Sequence, residues 1–418
     1  MACATLVLLV VLHPLHAQPL SPVADLTFSP YNWGPPSTGA DASAFTSNPG
    51  AWLRFSFTGS SSATLLLNTS ALASAPDGGS CLALAVSIDD GPWALLRPRA
   101  GSPNASVVLA AGLQPGAPHN VRVHLLATCE TADRWLRAPA GGAFWVVRGA
   151  ALDTGASPLP PGALRPGTAL VFGDSISEGT NAQNYDVAAA RCGGPYGLAV
   201  SSALDTWAAG FAEAMNAELG LAAFAAQGYS TRNSLHYGSV PPLLTAGDEA
   251  ATAWDKVCAG TSRLPALAAR APTYVVNALG FNDQNADVAP ALLQATVAAW
   301  LPAARAAVDP TTTLLVVVPF GGEMRTNNAT RLALRAGFFS YKASAAGAAD
   351  GCALLVDLYP AAQRGLQGLG RPTAESCDGT HPLARRHAQL GAMVAAAAAR
   401  ALDAAPPGCA RTDKTTSS

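Results

Sequence analysis

Charge is scarce in this chain of 418 residues: Asp, Glu, Lys and Arg together make up 12%, about half the share usual in soluble globular proteins. Lysine is nearly absent, with 3 against 22 Arg, and the formal net charge is −2. The arginines are scattered, so there is no electrostatic footprint for nucleic acid or an acidic membrane surface, and neither partner is expected. Also missing is a stretch of about twenty apolar residues without a Gly, Pro or charge break, so no helical membrane span is expected. The Ala-rich run after His387 comes nearest and is closed by Arg400 and Asp403. No CxxC or HExxH offers metal ligands, and no GxxxxGK or strand-borne GxGxxG offers a phosphate cradle. The GxSxG elbow of α/β-hydrolases does not occur either; Gly228-Tyr229-Ser230-Thr231-Arg232 fails at its fifth position.

Apolar residues, by contrast, are half the chain. That is ample for a core, and the length favours two packed units over one. The first residues, MACATLVLLVVLHPLHA, hold an apolar run, a proline and a small residue at Ala17, which reads as a secretory signal peptide over 1–17. The mature chain is therefore expected to be secreted, with seven cysteines that favour disulfides. Cys81 with Cys129 is the preferred pair, the others are unassigned, and the odd count leaves one thiol over. Asn68, Asn104 and Asn328 each open an N-x-S/T acceptor for glycosylation in that compartment.

The chain changes period partway along. Over residues 18–156 short runs such as Trp52-Leu53-Arg54-Phe55-Ser56-Phe57 alternate apolar and polar residues between Gly/Pro-rich turns, which predicts an antiparallel β-sandwich of jelly-roll type. Residues 157–167, SPLPPGALRPG, read as a linker. From 168 to 404 continuous apolar runs alternate with helical stretches, the signature of strand-helix-strand units around a parallel sheet. The expected strands cover 169–172, 222–226, 274–279, 314–319 and 353–358. Between the first two a helix is expected, capped by Asp205, striped by Trp207, Phe211 and Met215, and ended by Gly220. A last helix over 382–404 and a frayed polar tail over 405–418 complete the chain.

In an open parallel sheet, ligands gather beyond the carboxyl ends of the strands. Three expected strands end in small-plus-polar signatures: Gly173-Asp174-Ser175, Gln227-Gly228-Tyr229-Ser230 and Gly280-Phe281-Asn282-Asp283. A fourth, Asp378-Gly379-Thr380-His381-Pro382, follows the fifth strand. Acyl transfer needs a nucleophile, a base, a group that orients the base, and donors for the oxyanion. Ser175 supplies the hydroxyl, His381 the base and Asp378 the orienting carboxylate. The Ser175 and Gly228 N–H groups and the Asn282 amide supply the hole, glycine at 228 being expected to let the backbone approach the substrate. Each signature alone is an ordinary turn or helix start, whereas the ordered set is not. Arg232, Asn233, His236 and Tyr237 could touch substrate or simply open a polar helix, and Arg386 and His387 read as solvated.

The ordered set resembles the SGNH, or GDSL-type, hydrolases. That resemblance implies a three-layer α/β/α flavodoxin-like domain, implies no metal or organic cofactor, and transfers the roles of Ser175, Gly228, Asn282, Asp378 and His381 position by position. The preceding sandwich, through Asn32-Trp33-Gly34 and the run from Trp52, is similar to that of family-two carbohydrate esterases, which implies deacetylation of a polysaccharide or oligosaccharide. Two other functions stay open: an esterase or lipase for lipid or small-molecule esters, and a glycan-binding protein with an idle hydrolase unit.

Overall fold

The computed structural model describes residues 18–412 except 21–24, 40–41, 76–77, 138–140, 184–197, 233–239, 249, 321–327, 360, 364–365 and 367–372. Its first eleven strands are β1 (Gln18–Leu20), β2 (Thr27–Phe28), β3 (Ala44–Thr46), β4 (Trp52–Thr58), β5 (Ser62–Leu67), β6 (Leu82–Ile88), β7 (Ala94–Leu96), β8 (Ala105–Ala111), β9 (His119–Thr128), β10 (Trp145–Leu152) and β11 (Ser157–Leu159). They form two antiparallel sheets, ordered β1-β10-β5-β8 with β3 beside β10, and β11-β4-β9-β6-β7 with β2 beside β4. Period-two alternation decides which side chains meet: Leu53, Phe55 and Phe57 of β4 and Val121, Val123 and Leu125 of β9 pack against Leu65 and Leu67 of β5 and Trp145 and Val147 of β10. The Pro/Gly-rich stretch starts by adding β11 to the edge of β4. Cys81 and Cys129 are disulfide-bonded, as their shared unit suggested.

The second unit comprises β12 (Gly167–Gly173), α1 (Ser175–Glu178), α2 (Trp207–Ala214), β13 (Ala217–Ala223), β14 (Lys256–Cys258), β15 (Thr261–Ser262), α3 (Leu264–Ala269), β16 (Tyr274–Asn277), α4 (Phe281–Asn285), α5 (Pro290–Ala306), β17 (Thr313–Val317), α6 (Ala329–Ala343), α7 (Ala345–Ala349), β18 (Ala353–Val356) and α8 (Ala384–Ala404). A five-stranded parallel sheet runs β13-β12-β16-β17-β18. Burial on both faces explains the unbroken apolar runs: Ala169 and Val171 of β12 pack with Trp207, Phe211, Leu390 and Val394 of α2 and α8. The alternate residues Leu170 and Phe172 pack with Val297 and Trp300 of α5 and Leu334 and Phe338 of α6. The three-layer α/β/α arrangement expected from the sequence is therefore present, with the sandwich in front of it.

Several local expectations are corrected. The second strand lies at 217–223 rather than 222–226, because α2 stops at Ala214 and Asn216, at φ 49°, reverses the chain. Gly220 does not end that helix: it sits inside β13, where a Cβ would come within 2.1 Å of the Pro30 carbonyl oxygen. Thr206, not Asp205, caps α2, accepting from the Ala209 N–H; Asp205 accepts from Ser202. Residues 405–412 do not fray, since Cys409 is disulfide-bonded to Cys352 and the Ala410 N–H donates to the Thr311 carbonyl. Cys258 is buried and free, and Cys377 is disulfide-bonded.

Candidate active site

The stretch VFGDSISEGT becomes a strand end, a single helical turn and a reversal. Asp174 caps the turn by accepting from the Ile176 N–H, and Gly179 closes it at φ 82°. Gly173 allows the tight entry, since a Cβ there would meet Ser177 Oγ at 2.0 Å. This geometry holds Ser175 at the carboxyl end of β12. Ser175 Oγ lies 2.9 Å from His381 Nε2, and His381 Nδ1 lies 2.5 Å from Asp378 Oδ2. Asp378 Oδ1 also accepts from the backbone N–H groups of Thr380 and His381, which folds Asp378-Gly379-Thr380-His381 into one turn. Two chain segments 206 residues apart thus meet through one imidazole.

The electrostatics follow from burial and carboxylates. Burial alone would lower the His381 pKa, but Asp378, through charge and hydrogen bond, with Glu130 and Asp174, raises it to about 9. Burial opposes ionisation of Asp378, yet the His381 charge and the hydrogen bonds it receives hold its carboxyl well below the usual range. Burial pushes the Asp174 carboxyl up to about 7. Asp174 does more than cap: its Oδ2 accepts from Asn282 Nδ2 at 3.2 Å, and the Gln227 carbonyl accepts from the same nitrogen at 3.0 Å. The GDS and GFND signatures are therefore joined side chain to side chain.

Gly228 lies beside this pair, and its glycine has a steric cause besides the one expected. A Cβ would come within 2.4 Å of Asp283 Oδ2, whose carboxylate accepts from the Tyr229 and Ser230 N–H groups. The Gly228 N–H donates to the Thr231 carbonyl at 2.9 Å. The Ser175 N–H is the first of α1 and has no intrahelical acceptor. Of the residues that could touch substrate, Arg232 is exposed, while Asn233, His236 and Tyr237 lie outside the described residues, as do residues 184–197.

Arg386 and His387 are buried rather than solvated. Arg386 donates to the Ala361 and Ala362 carbonyls. His387 Nδ1 accepts from the Trp207 N–H at the start of α2, and burial lowers its imidazole to about 3, so it serves as a neutral cap. Sequence reasoning also missed Asn181, whose Nδ2 donates to Asp378 Oδ2 at 3.3 Å, and Glu130 of the sandwich, which accepts from Thr180 Oγ1 at 2.7 Å. Neither belongs to a motif; the one available signal for Asn181 was its place directly after the GDSISEGT turn.

Among the described residues, no group of three His, Cys, Asp or Glu side chains could hold a metal, and no helix is long and apolar enough to cross a membrane. By sequence, the chain matches no protein-family model and no curated protein. By structure, it is similar to a family two carbohydrate esterase from Cellvibrio japonicus, at TM-score 0.66 and 16% identity over 93% of this chain and 98% of that one. It is similar also to a family two carbohydrate esterase from Clostridium thermocellum in complex with cellohexaose, at TM-score 0.65 and 14% identity over 90% and 99%. An acetyl xylan esterase from Butyrivibrio proteoclasticus aligns at TM-score 0.62 and 13% identity over 93% and 98%. At such identities the likeness establishes the fold alone: a parallel-sheet α/β unit together with an antiparallel β-sandwich, as in those three structures.

Proposed function

We propose that the protein is a secreted serine esterase that removes acyl groups, acetyl in particular, from carbohydrate esters. The observation that carries this reading is the ordered contact of Ser175 Oγ, His381 and Asp378 at 2.9 and 2.5 Å. Ser175 attacks the ester carbonyl as His381 Nε2 takes its proton; Asp378 holds the Nδ1–H and stabilises the imidazolium. His381 returns the proton to the departing sugar hydroxyl and leaves an acyl-serine, which water, deprotonated by the same nitrogen, hydrolyses. The Ser175 N–H meets the oxyanion, and the Asn282 amide and the Gly228 N–H join it by exchanging acceptors, Asp174 or the Gln227 carbonyl for the first and the Thr231 carbonyl for the second.

Carbohydrate as substrate is supported by the shared two-unit architecture, and acetyl by the acetyl xylan esterase among the similar structures. Secretion is supported by the apolar start of the chain, the Cys81–Cys129 and Cys352–Cys409 disulfides, and acceptors at Asn68, Asn104 and Asn328, the last two exposed. Replacing Ser175 with Ala is expected to lower kcat on nitrophenyl acetate and on acetylated xylan by on the order of 10⁴-fold or more, with the melting temperature unchanged. Activity within tenfold of the parent would overturn the assignment.

A further inference from the structure

The loop leaving β9 is fastened at Cys129, which is disulfide-bonded to Cys81 and donates its N–H to the Cys81 carbonyl. From that fixed point two charged residues of the sandwich reach into the parallel-sheet unit. Glu130 Oε1 accepts from Thr180 Oγ1 at 2.7 Å, and Arg134 Nη1 donates to Glu178 Oε2 at 2.7 Å, with all four residues buried. Glu178 and Thr180 bracket Gly179, the left-handed residue that closes the Ser175 turn. Thr180 also donates its N–H to the carbonyl of Ser175 itself at 3.0 Å. Asn181 follows at φ 59° and reaches Asp378. One short turn therefore touches the backbone of the nucleophile and the carboxylate that orients the base, and the sandwich grips that turn by its two flanks.

We propose that Glu130 and Arg134 are positioning residues of the hydrolytic site, making the β-sandwich a working half of that site rather than an appended module; the inference rests on the esterase reading above. Among the described residues, the groups coupled to His381 include Asp378 on its own loop, Asp174 at the Ser175 turn, Glu130 from the sandwich and His387 on α8, while Glu178 acts on Glu130 and Asp174. Glu130 is supplied by the other unit, and its carboxylate favours the charged imidazole. Burial and the neighbouring Glu178 push the Glu130 carboxyl itself up to about 7, so its charge changes within the working pH range.

Two variants separate positioning from adhesion. Glu130→Gln keeps the size and an oxygen that can accept from Thr180 but removes the charge. It is expected to lower the apparent pKa of the acid limb of kcat/KM by about half a unit or more, with KM within twofold. The His381 imidazole, followed by ¹⁵N NMR titration, should move the same way. Thr180→Val removes the donor and leaves the charge; kcat is expected to fall about tenfold at unchanged KM, with the limb in place. Should Glu130→Gln not fold, the kcat and KM of Thr180→Val decide. A loss of melting temperature alone, with kcat, limb and His381 titration as in the parent, overturns the inference and leaves a mere joint. The titration needs no turnover, so a parent protein that hydrolyses no ester refutes the esterase reading, whereas an unmoved His381 in Glu130→Gln refutes this one.

Discussion

Each unit buries its own cluster of aliphatic and aromatic side chains, and the seam between the units combines apolar packing, Phe45 and Trp135 against Phe224, with buried ionic and hydrogen-bonded contacts. Arg54 of β4 makes a bidentate pair with Glu218 of β13 at 3.1 and 3.0 Å. Asn32 Nδ2 donates to the Leu221 carbonyl, Tyr31 Oη donates to the Arg270 carbonyl, and buried Arg263 donates to the Tyr31 carbonyl. Here β13 is the edge of the parallel sheet, so the sandwich covers backbone that would otherwise present an open edge. A second stretch of seam, through Glu130 and Arg134, lies under the Ser175 turn. The contrast separates a polar seam that protects an edge from one that touches the chemistry, and variants can be chosen to move each alone.

The largest expected effect lies on the catalytic side. Asn282→Ala removes the amide whose two N–H groups meet Asp174 and the Gln227 carbonyl, one of which turns to the oxyanion in the proposed mechanism. Turnover should fall by about 10²- to 10³-fold, with little change in melting temperature. Steady-state kinetics and a thermal melt check it; a fall below fivefold would remove Asn282 from the hole and restrict it to bracing Asp174.

Next comes pH. The active base is neutral imidazole, so activity is lost as pH falls through the His381 pKa, about tenfold per unit well below it. An unperturbed imidazole would place that limb near 6.5, but Asp378, Glu130 and Asp174 outweigh burial and raise it. The limb of kcat/KM is therefore expected above about pH 6.5. A pH–rate profile with its midpoint at or below that value would show that the carboxylates do not reach the base in solution.

The same contrast explains what the sequence made legible. Ser175, Asn282, Asp378 and His381 could be named because acyl transfer demands those residue types and the strand ends supply the places. Gly228 carries a second constraint that the chain order does not reveal: Asp283 excludes a Cβ there. The α2 boundary was misread because glycine after an apolar stripe normally ends a helix, whereas Gly220 answers to Pro30 of the other unit. Glu130 and Arg134 stand in a stretch with no motif, and their meaning depends on a turn 50 residues away from Glu130. Periodicity reports apolar cores well, and the polar contacts of a seam leave no period to read.

The smallest effect tests the protective part of the seam. In Gly220→Ala the new Cβ would sit 2.1 Å from the Pro30 carbonyl oxygen and 3.1 Å from Tyr31, so β13 and the Tyr31 segment must move apart. Overpacking of this kind costs about 1–3 kcal/mol, a loss of a few degrees in melting temperature. Because Gly220 lies mid-strand, away from the Ser175 turn at the carboxyl end of β12, kcat should stay within twofold. Calorimetry and kinetics on one preparation decide the matter. A fall in kcat without a fall in melting temperature would mean that strain at the β13 edge reaches Ser175, and the two parts of the seam would then be one device.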